Sequence, residues 1–117
     1  MVSLSVRIDL GPHRIGPGKI ELLEKIDALG SISAAGRAMD MSYRRAWELV
    51  EALNGLFPAP LVSPRTGGRQ GGGTALTDLG QAVVGHYRAI EKAATAATRS
   101  ELAALEAELA PVTSAAQ

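Results

Sequence analysis

The chain has 117 residues, twelve Lys/Arg against twelve Asp/Glu, 46% hydrophobic and 3% aromatic residues, and no cysteine. Length favours one domain with a modest core, and the apolar content favours folding over disorder. The lack of cysteine excludes disulfides, thiolate metal sites and thiol nucleophiles, His13 and His86 show no metal-ligand spacing, and no apolar run approaches the roughly 20 residues of a bilayer span.

The expected architecture is mainly α with a small β component and an aliphatic, alanine-rich core, in the cytoplasm by default. Residues 3–10 alternate, with Leu4, Val6, Ile8 and Leu10 on one side and Ser3, Ser5, Arg7 and Asp9 on the other, the pattern of a half-buried strand. Gly11-Pro12 breaks it, and Gly16-Pro17-Gly18 marks a second turn. Pro17 suits the start of a first helix to about Leu29, with Leu22, Leu23, Ile26 and Leu29 as its apolar stripe, Glu21, Glu24, Lys25 and Asp27 in water, and Gly30 as its stop.

A short second helix follows, Ala34 to Met39, capped by Ser33 with Ile32 as a hydrophobic staple. Asp40-Met41 form a tight turn, and Ser42 caps a third helix ending near Leu53. Beyond Pro58 and Pro60, a strand from Leu61 to Arg65, a glycine-rich tip over 66–73 and a strand Thr74-Ala75-Leu76 form a hairpin. Thr77 caps a long helix through Val83, Val84, Tyr87, Ile90 and Ala94. Leu102, Leu105 and Leu109 share one face of a further segment that either continues this helix or follows a bend near Thr98, and Pro111 ends it.

Residues 31–54 therefore read as a helix-turn-helix. Ala34, Ala35, Gly36 and Ala38 permit close packing by its first helix. In its second, Ala46, Trp47, Leu49, Val50 and Leu53 are expected inward, with Trp47 in the core. Tyr43, Arg44, Arg45 and Glu48 point outward at the end such motifs insert into the major groove. Arginine can read guanine O6 and N7 with two hydrogen bonds, and Ser42 with the free backbone N–H groups suits a phosphate oxygen. On charge patterning alone, Arg44 and Arg45 would be ordinary solvated charges; their place after a tight turn is what makes them candidates. The glycine-rich tip lacks the Lys-Ser/Thr ending of a nucleotide-binding loop, so the better reading is a wing in which Arg65 and Arg69 supply charge and glycines let backbone approach phosphates; the bland alternative is a flexible surface turn. Asp9, Asp40 and Asp78 are scattered, and no grouping supports catalysis, a metal or a cofactor. Residues 1–76 hold nine Lys/Arg against seven Asp/Glu, and residues 77–117 three against five, so an acidic C-terminal part hides a basic binding face in the total.

Three stretches carry a resemblance to a known family: Gly30-Ser31-Ile32-Ser33-Ala34-Ala35-Gly36-Arg37-Ala38; Met41-Ser42-Tyr43-Arg44-Arg45-Ala46-Trp47-Glu48; and Thr66-Gly67-Gly68-Arg69-Gln70-Gly71-Gly72-Gly73 with Leu76-Thr77 and Gly80-Gln81. Over roughly residues 4–95 the chain resembles the N-terminal DNA-binding domain of the ModE family of molybdate-responsive regulators; the first helix of the motif also resembles, less specifically, the wider LysR-type DNA-binding domain. The resemblance implies a single winged helix-turn-helix domain over 1–117, with the helix-turn-helix at about 31–54, the wing at about 61–77 and a dimerisation helix at about 78–109. It implies a homodimer formed through the N-terminal strand and the long C-terminal helix. DNA contacts would come from Ser42, Tyr43, Arg44 and Arg45, and from Arg65, Thr66, Arg69 and Gln70 in the wing. Asp40 stands where relatives usually have glycine, and Asp tolerates the left-handed backbone. Full-length members carry C-terminal molybdate-binding domains, and nothing in these residues supplies one, which argues against molybdate sensing by this chain. The expectation is a sequence-specific binder of double-stranded DNA that regulates transcription, acting constitutively or signalled by another protein. The alternatives are a winged-helix protein-interaction module without DNA binding, which zero net charge keeps open, and a small oxyanion sensor.

Overall fold

A computed structural model describes residues 2–65 and 73–111. The elements are β1 (Ile8–Leu10), β2 (His13–Ile15), α1 (Pro17–Leu29), α2 (Ile32–Ala38), α3 (Tyr43–Asn54), β3 (Val62–Pro64), β4 (Thr74–Leu76), α4 (Asp78–Ala97) and α5 (Arg99–Glu108). Two antiparallel hairpins, β1–β2 and β3–β4, flank the three-helix unit α1–α3. The mainly α expectation with a small β part holds. No helix among the described residues is long and apolar enough to cross a membrane.

The expected strand over 3–10 is shorter, pairing only at Ile8–Leu10. Its partner β2 was not anticipated; two of its three side chains face solvent, so no apolar alternation betrays it. Gly11 holds φ 63 at the first position of the two-residue loop, as twist-matched hairpin turns require. β2 is cut short where Pro17 opens α1, so residues before Ile8 have no ladder partner in the described chain. They keep the alternation nonetheless: Val2, Leu4 and Val6 are half-buried, while Ser3, Ser5 and Arg7 are exposed. The Tyr87 hydroxyl donates to the Val6 carbonyl at 2.7 Å, tying this segment to α4.

α1 keeps its expected limits: Pro17 needs no N–H partner in the first turn, and Gly30 stops the helix at φ 78. Its buried residues are Ile20, Leu22, Leu23 and Ile26; Leu29, expected in the stripe, is 51% exposed at the last position of the helix, beside Gly30. The start of α2 also needs correction. Ser31, not Ser33, is the cap, its Oγ accepting from the Ala34 N–H at 2.8 Å. The left-handed Gly30 delivers Ser31 already extended, so helix begins at once; the Ser33 hydroxyl accepts from Arg37 Nη1 instead. The question left open at Thr98 resolves as two helices. Thr98 Oγ1 donates to the Ala94 carbonyl at 2.7 Å, a back-bond that bends helices, and α5 buries none of its residues.

The core joins Ile15, α1, Ala35 of α2, Ala46, Val50 and Leu53 of α3, Leu61, Val62 and Tyr87. Outside it, α1 is clamped to α4 by charge. Arg88 donates from Nε and Nη2 to both oxygens of Glu24, at 3.0 and 2.6 Å, and from Nη1 to Glu91 at 2.8 Å. Glu24 was expected simply to face water. The Arg88 hydrogen bonds hold its carboxyl below the usual carboxylate range, with partial burial opposing. Because the folded value is the lower one, this pair contributes stability that is full above the ordinary value of 4.5 and is lost as pH falls through the lowered one. Glu24→Gln should therefore lower the melting temperature at neutral pH, and the gap to the parent should close on acidification. Thermal melts of both chains over a pH series check this.

Candidate nucleic-acid interface

The helix-turn-helix depends on a close approach of α2 to α3. Gly36 is buried, and a Cβ placed there would stand 3.1 Å from the Ala46 Cβ, tighter than side chains ordinarily pack. Between the helices Asp40 takes φ 56, the left-handed turn position for which it was suited. The Met41 N–H then returns to the Gly36 carbonyl at 2.9 Å, and Ser42 Oγ caps α3 by accepting from the Arg45 N–H at 3.0 Å.

This anchoring fixes the rotation of α3. Ala46, Val50 and Leu53 go inward, and Ser42, Tyr43, Arg44 and Arg45 are all exposed at its N-terminal end. Arg44 Nε lies 3.3 Å from Glu48 Oε2, an exposed pair one turn apart of the kind that contributes little to stability. Trp47, expected in the core, is 45% exposed. The buried stripe of α3 is narrow, and the small Ala46 that admits Gly36 leaves no room for an indole; one residue further round, Trp47 falls outside it.

β3 and β4 form the base of the expected wing, paired Val62↔Leu76, Ser63↔Ala75 and Pro64↔Thr74. Two helices hold this base directly, and a third braces it through Asp27. From α3, Asn54 Oδ1 accepts from the Leu61 and Val62 N–H groups at 2.9 and 3.1 Å. From the end of α1, the Gly30 carbonyl accepts from the Thr74 N–H at 2.9 Å, and Asp27 Oδ1 from the Leu76 N–H at 3.2 Å. From α4, Gln81 Nε2 donates to the other Asp27 oxygen at 2.9 Å. At the same corner Thr77 Oγ1 donates to the Pro60 carbonyl at 2.8 Å and accepts from the Gly80 N–H at 3.0 Å, the cap foreseen for α4. Gly80 is obligatory there, since a Cβ would overlap the Leu61 backbone.

Of the wing residues singled out, Arg65 is exposed where β3 leaves the base, its N–H donating to the Gly73 carbonyl at 2.8 Å. Thr66, Arg69 and Gln70 lie outside the described residues. The structure thus groups Ser42, Tyr43, Arg44 and Arg45 at one helix end and adds three residues that sequence reasoning missed: Trp47 on the exposed face of α3, and Asp27 and Asn54 beneath the wing. Asn54 sat next to a glycine and read as a helix end; Asp27 carried no local signal, because its partners lie 49 and 54 residues away.

A helix-turn-helix followed by a hairpin whose base is fixed to it makes this a winged helix-turn-helix protein. No family model matches the chain. It is 43% identical over 91 residues to the molybdenum transport protein ModE of Azotobacter vinelandii, covering 78% of this chain and 33% of that one. It is 45% identical over 78 residues to the molybdenum-pterin-binding protein MopB of Rhodobacter capsulatus (67% and 29%), and 40% identical over 78 residues to the transcriptional regulator ModE of Haemophilus influenzae (67% and 31%). The chain spans about a third of the length of these curated relatives. It is a homologue of the ModE regulators, and the resemblance read from its motifs, to the N-terminal domain of that family, holds.

Asp27→Ala would leave the Leu76 N–H, half-buried, without its acceptor. It should destabilise the chain by about 1–3 kcal/mol, and hydrogen exchange should accelerate at Leu76 and across β3–β4 more than in α1. Urea titration with amide exchange checks both.

Proposed function

We propose that the chain binds double-stranded DNA as a homodimer in the cytoplasm and regulates transcription, with α3 entering the major groove and the hairpin lying on the backbone. The observation that carries this reading is the rotation of α3: packing turns its middle inward and leaves Ser42, Tyr43, Arg44 and Arg45 exposed at the end that such motifs present to base edges. The transcriptional regulator names of its relatives support it. Arg44 and Arg45 would contact guanine edges or phosphates, Ser42 and Tyr43 the backbone beside them, and Arg65, Thr66, Arg69 and Gln70 the backbone through the wing.

Two features support the dimer. An apolar groove of about 220 Å³ lies between the first hairpin and α4, lined by Ile8, Leu10, Ile15, Phe57, Val83 and Ile90. Beside it, the extended segment before Ile8 has no ladder partner in the described chain. Together with the exposed Leu105 and Leu109 of the C-terminal arm, this is the surface we assign to a second copy, with residues 1–117 acting as one domain. Such a dimer predicts a two-fold symmetric site with half-sites about one helical turn apart.

The relatives' names also mention molybdenum. We assign no molybdate contact to the residues described, and tight binding of molybdate in a calorimetric titration would reverse that assignment.

Selection from a randomised duplex pool should enrich a symmetric motif, and sedimentation at micromolar concentration should give a dimer. Arg44→Ala with Arg45→Ala should abolish enrichment, weaken residual binding and flatten its dependence on salt by up to about two phosphate equivalents. A monomer, or a double variant that binds as the parent does, would favour a protein-interaction module.

A further inference from the structure

We propose that Trp47 is a base-contacting residue, its indole packing against thymine 5-methyl groups in the major groove. The inference rests on the DNA reading above and adds to it a residue and a base preference.

Trp47 and Tyr43 are one helical turn apart on α3, 45% and 57% exposed. Positions four residues apart on a helix lie one above the other, so the two form an exposed aromatic strip along α3, with no ring contact between them. Neither makes a hydrogen bond, ion pair or ring contact within the described residues. The strip does not serve the core, which α3 supplies through Ala46, Val50 and Leu53. Trp47 is the only tryptophan of the chain, and it sits in the second turn of the helix whose first turn carries Arg44 and Arg45.

Charge restricts what such a strip can meet. Glu48 and Glu51 follow it on the exposed side of α3, so phosphates are disfavoured from the second turn onward. Arginines flank it at the first turn, so a nucleic acid is favoured there. In the major groove the apolar feature a flat side chain can cover is the 5-methyl group of thymine. Trp47 therefore marks the inner limit of the contact, where arginine hydrogen bonding gives way to methyl packing.

The test is a thymine-to-deoxyuridine scan of the duplex enriched from the random pool, which removes one methyl at a time and keeps every hydrogen bond. Binding is read by fluorescence anisotropy for the parent, Trp47→Ala and Trp47→Phe. At least one thymine in the half-site should prove sensitive, its replacement weakening the parent about three- to fivefold, as expected for one buried methyl. Trp47→Ala should bind the unmodified duplex more weakly and be indifferent to that replacement, and Trp47→Phe should keep part of the sensitivity. A parent indifferent to every replacement overturns the proposal while DNA binding stands; so does a Trp47→Ala chain as sensitive as the parent, or one weakened equally on both duplexes, which places the indole on the sugar-phosphate backbone. The scan on the parent needs no variant to fold. If no duplex is enriched, the DNA reading falls, and this inference with it.

Discussion

The contact between Gly36 and Ala46 is the constraint on which the exposed surface depends. With no Cβ on one helix and a single methyl on the other, α2 and α3 approach closely enough for the Met41 N–H to close the turn onto the Gly36 carbonyl. That closure sets where Ser42 caps α3, and the cap sets which side of every later turn faces the core. A larger side chain at either position would push the helices apart or rotate α3, and four candidate contact residues would move together. The exposed surface is thus coupled to packing through a glycine and an alanine, both buried.

The wing is held by a different kind of force. Among the described residues its strands pair over three positions, and a two-stranded ribbon of that size does not stand alone. What orients it is a set of hydrogen bonds from two helices, Asn54 from α3 and Gly30 and Asp27 from α1, with Gln81 of α4 bracing Asp27 from behind. Asp27 accepts from the strand and from α4 at once, so the hairpin and the long helix share one carboxylate. α3 and the wing base are accordingly referenced to the same end of α1, and any load on the wing is passed to α1 and α4.

The helices were legible because their signals are local. Pro17, Gly30, Ser42 and Thr77 each act within one turn, and each marks the boundary it was expected to mark. Where two local signals compete, the sequence is ambiguous: Ser31 and Ser33 are both good caps, and only the left-handed Gly30 before Ser31 decides between them. Trp47 was misplaced because periodicity gives the width of an apolar stripe poorly, and Ala46 narrows this one. Glu24 and Asp27 read as solvent charges because their partners lie on α4 and β4, and no spacing within α1 reports a residue that far along the chain. The candidate contact residues on α3 were readable for the converse reason, being adjacent in sequence and following a turn.

Zero net charge sets terms for how such a chain would hold DNA. The excess of basic residues in 1–76 is two, and 77–117 carries the matching acidic excess, so long-range attraction to DNA would be weak and phosphate contact would rest on individual arginines. Arg44 rests on Glu48 in an exposed pair whose loss is cheap, a few tenths of a kcal/mol. Leaving that pair for a guanine edge gains two well-formed hydrogen bonds. Leaving it for a phosphate gains charge-assisted bonds of its own but brings Glu48 close to a second negative charge. On the proposed reading Glu48 would therefore weaken attraction to DNA in general and sharpen the difference between a correct site and a random one. The affinity this arrangement gives up in each protomer can be recovered by a second, linked half-site, since joining two weak contacts in one rigid body multiplies their occupancy without adding a charge. On the proposed reading, the acidic C-terminal arm and the near-neutral recognition helix are two halves of one design, in which pairing of copies supplies strength and base contact supplies choice.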